Sequence, residues 1–153
     1  MDTIMGAQEN LALARSLFDL SHNHQSDPAW LDKSRAAFAA DAEVIDVPSG
    51  TTFHGPDGYK RFALFFAENF PDSRVELTNA FATEDRVALE AISRWTNPNP
   101  SYLPTGAIPV TGHSIELRIC HVFQIRNGKI VSYHTYYDMM TMLEQLGLAP
   151  ATG

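Results

Sequence analysis

Four side chains near the end of the sequence could move a proton: His121, His134, Tyr136 and Asp138. They lie in two alternating stretches, "HSIELRICHVFQI" and "KIVSYHTYYD", joined through "RNGK". Asn-Gly between such runs is a strong hairpin signal, and a two-residue turn at Asn127-Gly128 sets Arg126 against Lys129. Carried on without interruption, that register puts His121 opposite His134, Ile119 opposite Tyr136 and Leu117 opposite Asp138. Opposed residues share a face. One face then holds Leu117, Ile119, His121, Phe123 and Ile130 together with His134, Tyr136 and Asp138. The other is more charged, with Glu116, Arg118, Gln124 and Lys129 beside Tyr133 and Tyr137. Polar groups on an apolar face need partners. A carboxylate placed there is partly desolvated, so its pKa rises and it can take and return a proton. Tyr136, His121 or His134 can hydrogen-bond a substrate oxygen that gains charge. Plainer roles compete: Asp138 can cap the helix that follows it, and His121 and His134 can form a hydrogen-bonded core pair.

The elements that must position these groups follow from periodicity. "QENLALARSLFDL" puts Leu13, Leu17 and Leu20 on one side at helical spacing. "DPAWLDKSRAAFAADA" predicts a second helix, with Asp27 as N-cap and Pro28 at the first helical position. "AEVIDV" (42–47) predicts a short strand. "GPDGYKRFALFFAENF" predicts a third helix with Phe62, Phe65, Phe66 and Phe70 on its apolar side. After Pro71 the period becomes two, in "SRVELTNAFAT" and "DRVALEAISRWTN". "NPNPSYLPTGAIPVTG" carries four prolines and two glycines and predicts a loop. "MMTMLEQLGL" closes as a short helix ending at Gly147. Helices, one strand, a helix and a run of antiparallel strands predict one α+β domain over 1–153, its curved sheet wrapped on helices.

Composition narrows the function. The chain has 153 residues, of which 44% are hydrophobic and 19% charged, so it has the makings of a globular core. A net charge of -7 without a basic run argues against nucleic acid or an anionic membrane as partner. The start, "MDTIMGAQEN", lacks the pattern of a secretory signal, and the lone Cys120 suits a reducing compartment, so a cytoplasmic location is expected. His22 and His24 in "HNH" are a weak ligand pair, and no metal is assigned. Cys120 alternates away from His121, which removes a Cys-His nucleophile. "GPDG" lacks phosphate-loop spacing, and His54 before it closes the loop ahead of the third helix.

Three segments, "FHGPDGYKRFALFFAENFPDSRVEL", "RWTNPNPSYLPTGAIPVTGHSIEL" and "HVFQIRNGKIVSYHTYYDMMTMLEQLGL", resemble the SnoaL-like polyketide cyclases of the NTF2-like superfamily, over roughly residues 10–148. The resemblance rests on the Gly-Pro-x-Gly helix start, the "FPD" that ends that helix, and the Arg-Trp strand. It rests further on the Asn-Gly-Lys-Ile hairpin, the strand-final Asp and the Gln-Leu-Gly tail. It implies a conical α+β barrel with a deep pocket and a homodimer. It also implies that Asp138 is the general acid/base of an intramolecular aldol closure, which needs no cofactor. The family's usual tryptophan upstream of that aspartate is His134 here. A small hydrophobic carbonyl compound is then the expected ligand. A ketosteroid-isomerase-like isomerase, an epoxide hydrolase and a non-catalytic binding protein are the alternatives. The hydrolase ranks lower, because beyond one Asp only Asn79 and Arg94 on neighbouring strands could help hold a water. Trp95, Phe62, Ile119 and Phe123 are expected in the pocket wall, with Tyr102, Leu103 and Ile108 over its mouth. The face with Tyr133, Tyr137, Val122 and Ile92 is expected to form the dimer contact.

Overall fold

The computed structural model describes residues 6–70, 72–96, 101–103, 106–108 and 114–147, the two short segments and Asn69 as backbone only. Helix α1 (Ala7–His22) leads through a short 3-10 turn (His24–Ser26) to α2 (Trp30–Arg35). Strands β1 (Phe38–Asp46) and β2 (Thr51–His54) precede α3 (Gly55–Asn69). Then come β3 (Arg74–Ala82), β4 (Arg86–Thr96), β5 (Ser101–Leu103) and β6 (Gly106–Ile108). The chain continues through β7 (Ser114–Arg126), β8 (Lys129–Tyr137) and α4 (Met139–Leu146). Among the described residues no helix is long and apolar enough to cross a membrane.

Six strands form one curved sheet in the order β2-β1-β8-β7-β4-β3, and β5-β6 form a separate pair. The main sheet is open rather than a closed barrel, and it is mixed: β1 runs parallel to β8 while its other neighbours are antiparallel. The helix expected over 27–42 stops at Arg35, because Phe38 pairs with Ile130 and starts a strand instead. Phe38 is 4% exposed, so tertiary burial overrides the helix preference of the alanine run. Strand β2 and the β5-β6 pair stand where no strand was expected.

Helices α1 and α3 cover the inner face of the sheet, against which Leu17, Phe18, Tyr59 and Phe62 pack with Val44, Leu89 and Phe123. A second cluster, Phe70, Trp95, Leu117, Met142 and Leu146, fills the end nearest α4. The Gly-Pro-x-Gly start of α3 has a steric cause. Gly55 sits at φ +71, and a Cβ there would meet the Ala40 carbonyl oxygen at 2.9 Å. A Cβ at Gly58 would come 2.9 Å from the backbone of Phe53. Only glycine lets the helix lie this close to β1 and β2.

The β7-β8 hairpin turns at Asn127-Gly128, both at positive φ, as the dipeptide predicts. Its register does not run on unbroken. Arg126 pairs with Lys129 and Ile125 with Ile130, but Gln124 then pairs with Ser132, so Val131 is bulged out. From there His121 lies opposite Thr135, Val122 opposite His134 and Ile119 opposite Tyr137. A slip of one residue turns every later side chain to the other face. The His121–His134 pairing, and with it the inward placement of His134, Tyr136 and Asp138, is therefore corrected. Tyr133, Thr135 and Tyr137 face inward, and so do not belong to the outer face assigned to a dimer contact. The parallel neighbour explains the choice. Val44 and Asp46 of β1 pair with Tyr133 and Thr135, and all four are buried.

Candidate functional site

Between the concave face of the sheet and helices α1 and α3 lies a cavity of about 140 Å³, with Met142 of α4 in its lining. Phe62 and Phe66 of α3, with Leu117 and Ile119 of β7, stand in its largely apolar wall. At roughly 10–15 Å³ of such space per water, it has room for about ten waters, or some 300 Å³ of ligand. Of the residues expected at a pocket, the structure places Phe62, Trp95, Ile119, His121 and Phe123 in this wall. Tyr102, Leu103 and Ile108 fall on β5 and β6, and their side chains lie outside the described residues.

His121 is the polar centre. Strand alternation on β7 sets it between Ile119 and Phe123 on the inner face, 9% exposed. Its Nδ1 lies 2.8 Å from Thr135 Oγ1 and 2.9 Å from Tyr133 Oη. Burial pushes its pKa down to about 3, with His22 adding to the effect. His22 is held down to about 4, by burial and then by His24. Both imidazoles are thus neutral at pH 7, and Phe18 packs edge-on against each. His24 donates from Nδ1 to the Ser21 carbonyl at 3.0 Å. His22 and His24 of "HNH" join the wall of the cavity, although among the described residues no group of three or more ligand side chains could hold a metal.

The other three groups of the expected site lie elsewhere. Asp138 is exposed and is the N-cap of α4. Its Oδ1 accepts from the Met140 and Thr141 amides at 3.0 and 3.3 Å, and its Oδ2 from Thr141 Oγ1 at 2.8 Å. Those bonds to the charged form, chiefly from Thr141, lower its pKa rather than raise it. His134 and Tyr136 point to the outer face, 3.4 Å apart between Nδ1 and Oη. Tyr136 shares a shallow outer groove with Asp138, Arg118 and Cys120.

A different carboxylate stands on the inner face. Asp46 is 0% exposed at the end of β1. Its Oδ2 accepts from Ser49 Oγ at 2.6 Å and from Tyr137 Oη at 3.1 Å. Its Oδ1 has no partner among the described residues. Burial outweighs the two hydrogen bonds and raises its pKa. Tyr137 lines the cavity, so its phenol lies between this carboxylate and the interior space. Register places Asp46, Thr135 and His121 side by side on β1, β8 and β7. The sequence carried a sign of this: Ala42, Val44 and Asp46 alternate onto one face of "AEVIDV", an acid in line with apolar residues. A further polar patch in the wall is the contact between the Ser73 and Ser93 hydroxyls, 3.0 Å apart, and Trp95 lines the same cavity.

The fold recurs in solved structures. A protein named as a candidate SnoaL-like polyketide cyclase from Jannaschia sp. CCS1 superimposes with a TM-score of 0.79 at 19% identity, over 99% of this chain and 98% of that one. IdmH, a candidate polyketide cyclase from Streptomyces antibioticus, gives 0.69 at 25% identity, over 89% and 96%. An LEH-like epoxide hydrolase from M. tuberculosis gives 0.66 at 16% identity, over 92% and 90%. No curated protein matches the chain by sequence. The family model of the SnoaL-like polyketide cyclases matches residues 20–146, and the chain belongs to that family.

Proposed function

We propose that the protein is a cofactor-free enzyme that moves a proton beside a carbonyl group of a small hydrophobic compound, in an aldol-type cyclisation or an isomerisation. One observation carries the proposal. Asp46, a buried carboxyl group with a raised pKa and one unpartnered oxygen, stands behind Tyr137 in the cavity wall, in line with neutral His121. Asp46 takes a proton from the carbon next to the carbonyl, directly once the phenol moves aside or through the phenol oxygen. The electron pair of that C–H bond becomes the enolate. His121, when Tyr133 donates to its Nδ1, carries its proton on Nε2 and donates it as a hydrogen bond to the enolate oxygen. A neutral imidazole can polarise a carbonyl in this way. In a cyclisation the enolate carbon attacks a second carbonyl, and Asp46 returns its proton to the new alkoxide; in an isomerisation the proton returns to a different carbon.

Epoxide hydrolysis finds less support. Arg94 is engaged with Glu116 at 2.9 Å on the outer face, and Asn79 with Glu90 at 3.2 Å. The test is deuterium uptake at the methyl group of 4-acetylbiphenyl in heavy water, followed by NMR. Wild type should speed the exchange, and Asp46→Asn should slow it by about a hundredfold or more while still binding the ketone. Undiminished exchange in Asp46→Asn removes Asp46 from the mechanism. A ketone that binds wild type without exchanging marks a binding protein instead.

A further inference from the structure

Trp95 is 7% exposed, and its Nε1–H has no hydrogen-bond partner among the described residues. A buried donor without an acceptor is costly to keep. The same cavity wall holds Ser93, 4% exposed and two residues before Trp95 on β4, and Ser73; their hydroxyls bond each other and so keep a donor or a lone pair to spare. All three line the main cavity among Phe70, Val75 and Leu117. Ser73 and Trp95, with His22 and His24, also line the outer groove that carries Asp72, Arg74 and Arg94. The indole and the serines therefore sit where the apolar cavity gives way to a polar surface. They are far from His121. Ser93 pairs with Leu117, four residues along β7 from His121, which at about 3.3 Å per residue is roughly 13 Å.

We propose that Trp95, Ser93 and Ser73 form a second oxygen-binding subsite, so that the ligand is an elongated apolar molecule with a carbonyl oxygen at each end. This rests on the carbonyl chemistry proposed for the His121 end and adds the length and the second functional group. An indole N–H can only donate. The group it recognises must therefore be an acceptor, and a carbonyl can take bonds from the indole and a serine hydroxyl at once. A purely apolar end would leave the donor unpaired, and the site would discriminate against it.

Two probes of one shape separate the cases: 4,4'-diacetylbiphenyl, and 4-acetyl-4'-isopropenylbiphenyl, which replaces one carbonyl by an isosteric carbon group. Binding is measured by titration calorimetry, with no turnover needed. The diketone should bind wild type about tenfold more tightly, well beyond the twofold its symmetry gives. Trp95→Phe with Ser93→Ala should bring the two probes to within that twofold. The indole N–H resonance of Trp95, one of only two tryptophans, should move downfield with the diketone and stay with the isopropenyl probe, a readout that requires no variant. Equal binding in wild type, a preference that survives the double substitution in folded protein, an unmoved indole resonance, or failure of both probes to bind overturns the subsite. Loss of deuterium exchange with the probe preference intact would overturn only the proton-transfer chemistry.

Discussion

Lowering the pH should unfold this protein through His121, and the size of the effect follows from its burial. The ring is neutral when folded, with a pKa of about 3 against 6.5 when exposed. Above pH 6.5 neither state binds the proton, and the group has no effect on stability. Below 6.5 the unfolded chain takes up a proton that the folded chain refuses, so stability falls with pH until about pH 3. Each unit costs about 1.4 kcal/mol. Between pH 6.5 and 5 that is about 2 kcal/mol, a large share of the roughly 5–15 kcal/mol that holds a domain folded. His22 acts with the same sign down to about pH 4, more weakly because its side chain is less fully enclosed. Asp46 acts with the opposite sign: its raised pKa makes the folded state less stable as pH rises through the shifted range. Comparing wild type with His121→Gln cancels what the two proteins share, and glutamine keeps an acceptor for Tyr133 or Thr135. Urea unfolding at pH 7 and pH 5 should show wild type losing about 2 kcal/mol more than the variant. Equal losses, or an NMR titration of the His121 ring near 6.5, would refute the reasoning.

Asp138→Ala should lower the melting temperature through loss of the α4 cap and leave deuterium exchange unchanged, while Asp138→Asn, which can still cap, should change neither. Thermal melts and the exchange assay on both variants check this. Deleting Val131 removes the bulge and lets the regular ladder set Ser132 opposite Gln124 and Tyr133 opposite Phe123, where they already lie; the variant should keep a cooperative unfolding transition and its deuterium exchange, and loss of either counts against the register argument, whereas Val131→Ala should cost under about 1 kcal/mol. With the register corrected, the outer face of the sheet presents Val122, Ile92, His134 and Tyr136, the last 41% exposed. Light scattering at micromolar concentration should give a homodimer, and Tyr136→Glu with Ile92→Glu should give a monomer; a wild-type monomer counts against this surface.

Period and turn chemistry made much of the fold legible. The apolar spacing of α1 and α3, the alternation of β4 and β7, and Asn127-Gly128 each act over neighbouring residues, which sequence displays directly, whereas in β3 a bulge at Thr78 takes Phe81 off the face of Val75 and Leu77 and leaves it 55% exposed. The site was less legible, because its orientation depends on one residue of register. On β8 both alternating sets mix polar and apolar groups: Ser132, His134 and Tyr136 against Tyr133, Thr135 and Tyr137. Nothing within the hairpin chooses between them. The choice is made by β1, whose Ala42, Val44 and Asp46 are buried beside β8. The same distant pairing ended the second helix early and carried the buried aspartate into place, while Asp138, which looked inward by extrapolation from the turn, satisfies the first amides of α4.

The bulge at Val131 has a further consequence, for the order in which the molecule assembles. A hairpin closes within about 1–10 μs of its turn forming, long before strands from opposite ends of a chain can meet. Closing from Asn127-Gly128 alone favours the unbulged register, with His134 facing His121. Only when β1 arrives does burial of Val44 and Asp46 beside Tyr133 and Thr135 favour the shifted one. The β7-β8 strands would then part and rejoin one residue over, which predicts that docking of β1 is the slow step of folding and the step that turns Tyr133, Thr135 and Tyr137 toward the cavity. On this order the cavity's polar wall should be the last part of the molecule to form. A substitution that weakens β1, such as Val44→Ala, would slow the appearance of ligand binding in a refolding experiment more than the recovery of helical circular dichroism.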